Sequence, residues 1–138
     1  MLNPNTTESF ADGRREINWD GVSDSSSAPN SMPANFFNVN SPRGVVFSTN
    51  GSGFQVSADT SNPTETPAEF GNLNAAYQAE FTTFSPQRLF TPIGSNIMDV
   101  TFRVPGTCFL GTVDGFGAVF TDVDAVNVTS LEFFDADG

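Results

Sequence analysis

An all-β fold, an antiparallel β-sandwich of jelly-roll type, is expected for this chain on three observations. Short runs alternate apolar and polar side chains, the period of a pleated strand with one buried face. No long segment repeats apolar residues at the 3.6-residue spacing of an amphipathic helix. Gly, Pro, Asn and Asp punctuate the runs closely enough for tight antiparallel connections. The 138 residues fit a single domain, and 15 phenylalanines supply the bulk for a core. A barrel is the next choice of architecture.

Residues 1–13 are polar and read as a flexible lead-in; residues 14–138 read as one domain. Arg14 to Trp19 is expected to be a short strand that ends at the Asp20-Gly21 turn signal. Residues 23–34, rich in serine with two prolines, form a loop. Gly44 to Thr49 is a strand, and Asn50-Gly51 marks a hairpin turn after it. Phe54, Val56 and Ala58 alternate with Gln55, Ser57 and Asp59, so the two runs are expected to pair with each other.

Residues 60–69 make another loop, and 70–96 are less regular. Ala75 to Phe81 suits one or two helical turns, while Phe81, Phe84 and Phe90 fit short strands equally well. Met98, Val100, Phe102 and Val104 alternate with polar residues in a further strand, which Pro105-Gly106 stops. Gly115 to Thr121 and Thr129 to Phe134 are two more strands, separated by Asp122-Val123-Asp124. Asp137-Gly138 is a turn signal with no return strand behind it. The domain is therefore expected to be incomplete at its C-terminus, with an exposed edge strand open to self-association.

Composition excludes much chemistry. The chain has five basic residues, all arginine, against sixteen acidic ones, no histidine and no lysine. Ser-His and Cys-His nucleophile pairs, imidazole-ligated zinc, Schiff-base lysines and phosphate-loop lysines are all ruled out. A net charge of −11 argues against nucleic-acid partners and against anionic membrane surfaces. No apolar run reaches the length of a membrane span, so membrane insertion is not expected. Met1 to Asn5 lacks the basic and apolar parts of a signal peptide. An Asn-, Ser-, Thr- and Gly-rich chain without lysine suits a bacterial extracellular or cell-surface setting. The lone Cys108 is expected to be a small buried hydrophobe.

Two constellations are candidates for binding. Asp122 and Asp124, with Asn127 nearby, offer hard oxygen ligands at the end of a strand, which suits Ca²⁺. Asp20 is a weaker candidate ligand for the same ion. The stretch from Asp122 is not an EF-hand, because Val126 and Asn127 stand where that loop needs an oxygen ligand and glycine, and Asp135-Ala136-Asp137-Gly138 fails because Phe133 stands at the preceding ligand position. For carbohydrate, Trp19 and Tyr77 are the stacking candidates, and Asn35 and Asn38 supply amides for hydroxyl groups. Core packing for Trp19 and loop structure for the asparagines compete with that assignment. Arg103 on a polar strand face is expected to meet a cross-strand acid. Arg14, Arg43 and Arg88 are expected to neutralise nearby carboxylates.

Several segments together carry a likeness. They are Gly13-Arg14-Arg15-Glu16-Ile17-Asn18-Trp19-Asp20-Gly21-Val22, Asn35-Phe36-Phe37-Asn38, Ser41-Pro42-Arg43-Gly44-Val45-Val46-Phe47 and Gly53-Phe54-Gln55-Val56-Ser57. Phe116 to Asp124 and Leu131 to Asp135 complete the set. The pattern resembles uncharacterised exported bacterial β-sandwich proteins of the PEP-CTERM style. The resemblance implies an extracytoplasmic β-sandwich and brings no activity with it. The function expected is non-enzymatic: surface adhesion or carbohydrate binding on a scaffold that Ca²⁺ stabilises. A purely structural surface or matrix module is one alternative. A carboxylate-dependent glycoside hydrolase or lyase, using acids such as Asp122, Asp124 and Glu132, is another.

Overall fold

The computed structural model describes residues 1–59, 61, 66 and 68–135. Its regular structure is β-rich with few helices, in two small antiparallel sheets. In chain order the elements are α1 (Phe36–Val39), β1 (Val45–Ser48), β2 (Gly53–Val56), α2 (Tyr77–Glu80), β3 (Phe90–Ile93) and β4 (Asp99–Phe102). Single 3-10 turns at Trp19–Gly21 and Asp24–Ser26 precede them.

The expected pairing of β1 with β2 does not occur. β1 pairs with β4, with Val45 opposite Phe102 and Phe47 opposite Val100. β2 pairs with β3, with Phe54 opposite Pro92 and Val56 opposite Phe90. The facing edges of β1 and β2 are occupied by residues 28–34. Phe47 N–H donates to Ala34 O at 3.0 Å on one side. On the other, Met32 N–H donates to Phe54 O at 2.9 Å and Ala28 N–H to Val56 O at 2.7 Å. The loop read from serine and proline content is thus bonded through its main chain to both sheets. Gly51 makes the crossing between them: a Cβ there would lie 2.1 Å from Ile93 O, so only glycine lets the chain pass this close.

Side-chain alternation places Val45, Phe47, Phe54, Val56, Phe90, Val100 and Phe102 in one cluster with Met32, Val22 and the α1 phenylalanines Phe36 and Phe37. Trp19 packs over it. Its ring stacks on Phe90 at 4.2 Å and meets Phe37 edge-on at 5.4 Å. Aromatic pairs in such arrangements add about 0.5–1.5 kcal/mol each beyond burial. Trp19 reaches this position because the chain turns where a strand was expected. Asn18 Oδ1 accepts from Asp20 N–H at 3.0 Å, capping a 3-10 turn. The lead-in is tied to Arg14, which bonds Met1 O and Asn3 N–H.

β2 is buried on its second face too. Gln55 is 6% exposed, but its amide is satisfied: Nε2 donates to Pro29 O and Oε1 accepts from Asn72. Phe70 is buried as well.

Past β4 the chain folds back at once. Val104 N–H donates to Phe109 O and Gly111 N–H to Phe102 O, so Pro105 to Cys108 form the tip of a tight hairpin. Cys108 is therefore exposed, not buried as expected. Residues 115–121 and 129–134, expected as strands, form no strand among the described residues and are exposed apart from Phe116. An isolated pair of strands is only marginally stable in water, so alternation alone does not secure pairing. Of the C-terminal turn signal, residues 136–138 lie outside the described residues, as do positions 60, 62–65 and 67 of the 60–69 loop.

Candidate binding groove

Two shallow grooves open on the surface. One, of about 340 Å³, has Met32, Phe47 and Phe54 in its lining and Ser31, Ser48, Thr49 and Ser52 among its polar groups. The other, of about 400 Å³, lies between α1 and the hairpin after β4. Val39 and Val46 give it an apolar wall; Asn35, Asn38, Arg103 and Thr107 give it polar groups. Neither lining contains a carboxylate.

Asn38 builds the second groove. It is buried, with Nδ2 donating to Thr107 O at 2.9 Å and Oδ1 accepting from Gly106 N–H at 3.1 Å. Gly106 N–H also reaches Asn38 O at 2.9 Å. One side chain thus clamps α1 to the hairpin tip. Gly106 has φ +78°, the left-handed conformation glycine adopts without steric cost. Asn35, by contrast, is exposed and its side chain caps no helix end.

Arg103 lies at the end of β4 opposite Gly44, whose carbonyl accepts the Arg103 N–H at 2.8 Å. With glycine across the sheet there is no cross-strand acid to meet. The expected carboxylate partner is replaced by a main-chain one, Cys108 O, at 2.6 Å from Nη1. That is the only side-chain bond of Arg103 among the described residues. Arg103 lines the groove, and a guanidinium is a planar fork that suits a carboxylate.

The other predicted residues are dispersed. Trp19 is half-buried, packed against the core cluster. Tyr77 sits on α2, half-buried, with its ring 4.9 Å from Phe81. Asp20 Oδ1 accepts from Ser85 Oγ at 2.9 Å. Asp122, Asp124 and Asn127 are all exposed, with Asp122 and Asn127 in the left-handed region. Among the described residues, no three acidic or cysteine side chains gather as a metal-binding group.

Arg88 meets carboxylates as expected, at Asp24 and Asp59, whereas Arg43 bonds main-chain and hydroxyl oxygens instead of a carboxylate; what sequence reasoning missed is how deeply Arg88 is buried. It is 3% exposed. Nη2 donates to Asp24 Oδ1 at 2.5 Å and lies 3.4 Å from Asp59 Oδ2; Nη1 bonds Ser27 Oγ and Ser57 O. Nε is buried with no hydrogen-bond partner. Three chain segments therefore meet at one guanidinium. Arg14 pairs with Glu16 at 2.7 Å in the open, as expected. Arg43 bonds Glu16 O and Ser41 and covers the Phe37 ring at 5.1 Å. Burial lowers the Arg43 guanidinium from its ordinary value, and the charge of Arg15 lowers it further.

Comparison with protein-family profiles, curated proteins and solved structures matched none of them.

Proposed function

We propose that the chain is a non-enzymatic, exported binding module on a β-sandwich scaffold of jelly-roll kind. It takes a carboxylate-bearing sugar in the groove between α1 and the hairpin after β4. One observation carries this reading: Arg103 has no carboxylate partner among the described residues, in a chain of net charge −11, and lines a groove with Asn35. Sugar rings combine apolar faces with polar rims. Val39 and Val46 suit the face, the Asn35 amide suits hydroxyls, and the Arg103 fork suits a carboxylate through charge-assisted bonds. The nearest acid along β4 is Asp99, four residues away, on the order of 13 Å at strand rise. Arg103 is the one charged side chain in the lining of this groove.

Binding is tested by calorimetric titration with uronate-containing and neutral oligosaccharides. The acidic series should bind, and Arg103→Gln should weaken it by roughly tenfold or more. Equal binding of neutral sugars, or no effect of Arg103→Gln, would remove the groove from the account. Absence of any sugar binding would favour the structural-module alternative. The Ca²⁺ part of the proposal rests on the oxygen chemistry of Asp122, Asp124 and Asn127 alone. A melting temperature that is unchanged between calcium and EDTA would remove it.

A further inference from the structure

Asn50-Gly51 is the only Asn-Gly pair in the chain, and it lies where the backbone crosses from β1 to β2. We propose that Asn50 is a self-modification site: the Gly51 nitrogen closes on the Asn50 side-chain amide, expels ammonia and leaves aspartate or isoaspartate at the crossing. This goes beyond the sugar-binding proposal and is independent of it.

The fold leaves both reacting groups available. Asn50 is exposed, and its carboxamide makes no hydrogen bond among the described residues. The Gly51 N–H stands outside both sheet ladders and donates to Thr49 Oγ1 alone, at 3.2 Å. Glycine has no side chain to crowd its own nitrogen. Nucleophile and target sit in neighbouring residues, so no entropy is lost in bringing them together.

Other asparagines lack one or more of these features. The N–H after Asn40, that of Ser41, bonds Phe36 O at 3.0 Å, and the N–H after Asn72, that of Leu73, bonds Phe70 O at 2.8 Å. The side chains of Asn18, Asn30 and Asn74 are each held by main-chain groups. Asn38 is buried. Asn3 precedes a proline, which has no N–H. Asn5, Asn96 and Asn127 precede β-branched residues, whose side chains are stiff and crowd the backbone.

The chemistry needs only water. Hydroxide removes the Gly51 amide proton, and the nitrogen forms a bond to Asn50 Cγ. The Cγ–Nδ2 bond breaks, and the amide leaves as ammonia with a proton returned from water. A second water opens the cyclic imide. Opening at Cγ gives aspartate; opening at the Asn50 main-chain carbonyl gives isoaspartate. The sum is water consumed and ammonia released, with no change of oxidation state.

The crossing makes the product matter. Isoaspartate inserts an extra carbon into the main chain, and Gly51 already passes so close to Ile93 that a Cβ would lie 2.1 Å from its carbonyl oxygen. That oxygen accepts the Ser52 N–H at 2.8 Å, and Thr49 Oγ1 donates to Ile97 O at 2.7 Å. A longer chain between Thr49 and Ser52 displaces these bonds. Thr49, Gly51 and Ser52 also line the smaller groove, which has no carboxylate in its lining, so either product brings a negative charge to its rim.

Incubation of the full chain at mildly alkaline pH tests this, with peptide mapping by mass spectrometry and enzymatic methylation of isoaspartate. The expected result is conversion at Asn50 ahead of every other asparagine, faster as pH rises, and at a rate comparable with that of the urea-unfolded chain. Asn50→Gln should block it, because the longer side chain would have to close a larger ring. The purified isoaspartate form should melt below Asn50→Asp, which carries the same charge on a main chain of normal length. Conversion first at another asparagine, or a rate indifferent to pH, would overturn the proposal. So would an Asn50 that survives in the folded chain while the unfolded chain converts, or an isoaspartate form that melts with Asn50→Asp.

Discussion

Replacing Arg88 by Met should be among the most damaging single changes in the body of the protein. The side chain is 3% exposed and ties Asp24, Ser27, Ser57 and Asp59 together. Met is of similar length and fills the space, so the loss is electrostatic and not a cavity. Breaking a buried ion pair by removing one partner costs about 3–5 kcal/mol, because a charge is left without compensation. Asp24 and Asp59 keep 34% and 14% of their side-chain exposure, so water relieves part of that penalty. The expected loss is therefore near the lower end, about 3 kcal/mol. For a chain of this size it lowers the melting midpoint by roughly 10 °C. Urea denaturation followed by Trp19 fluorescence reads the change directly. The variant Arg88→Met with Asp24→Asn and Asp59→Asn should recover part of the loss, since it removes the carboxylate charges that faced the guanidinium. A loss under about 1 kcal/mol, the range of an exposed pair, would refute the reasoning. Failure of the triple variant to recover any stability would refute it equally.

Gly51→Ala should cost about 1–3 kcal/mol, because its Cβ would press on the Ile93 carbonyl where the chain crosses between sheets; thermal denaturation reads the shift. Asn38→Ala should cost about 1–3 kcal/mol by leaving Gly106 N–H and Thr107 O without their side-chain partner. The same variant should lose sugar affinity in calorimetry, because Asn38 holds the hairpin tip that forms one wall of the groove.

Three strand positions were legible because alternation is a local property, while the runs read at 14–19, 115–121 and 129–134 formed no strand among the described residues. Val45 to Ser48, Gly53 to Val56 and Asp99 to Phe102 all fall where side chains alternate. Their partners were not legible. Asn50-Gly51 announces that the chain turns, but the signal is silent on which strand it turns toward. The pairing was decided by the 28–34 loop, whose main-chain bonds leave no trace in residue type. The same limit hid Arg103. Knowing that it faces Gly44 and not an acid requires the register of β1 on β4. Asn35 and Asn38 were legible as polar groups in a turn-rich stretch, yet their division of labour, one exposed and one clamping, follows from the distant residues Gly106 and Thr107. Arg88 sits in an irregular stretch with no periodicity, and the serines and aspartates it gathers are up to 64 residues away. Phenylalanine content foretold an aromatic core, and Trp19 joined it through a turn that Asn18 caps.

The most direct test of the central claim is amide chemical-shift mapping by nuclear magnetic resonance during titration with a uronate-containing oligosaccharide. Saturable shifts should appear at Asn35, Gly106, Thr107 and Cys108 and should be lost in Arg103→Gln. Shifts confined to the residues around Trp19 or Tyr77, or none at saturating sugar, would contradict it.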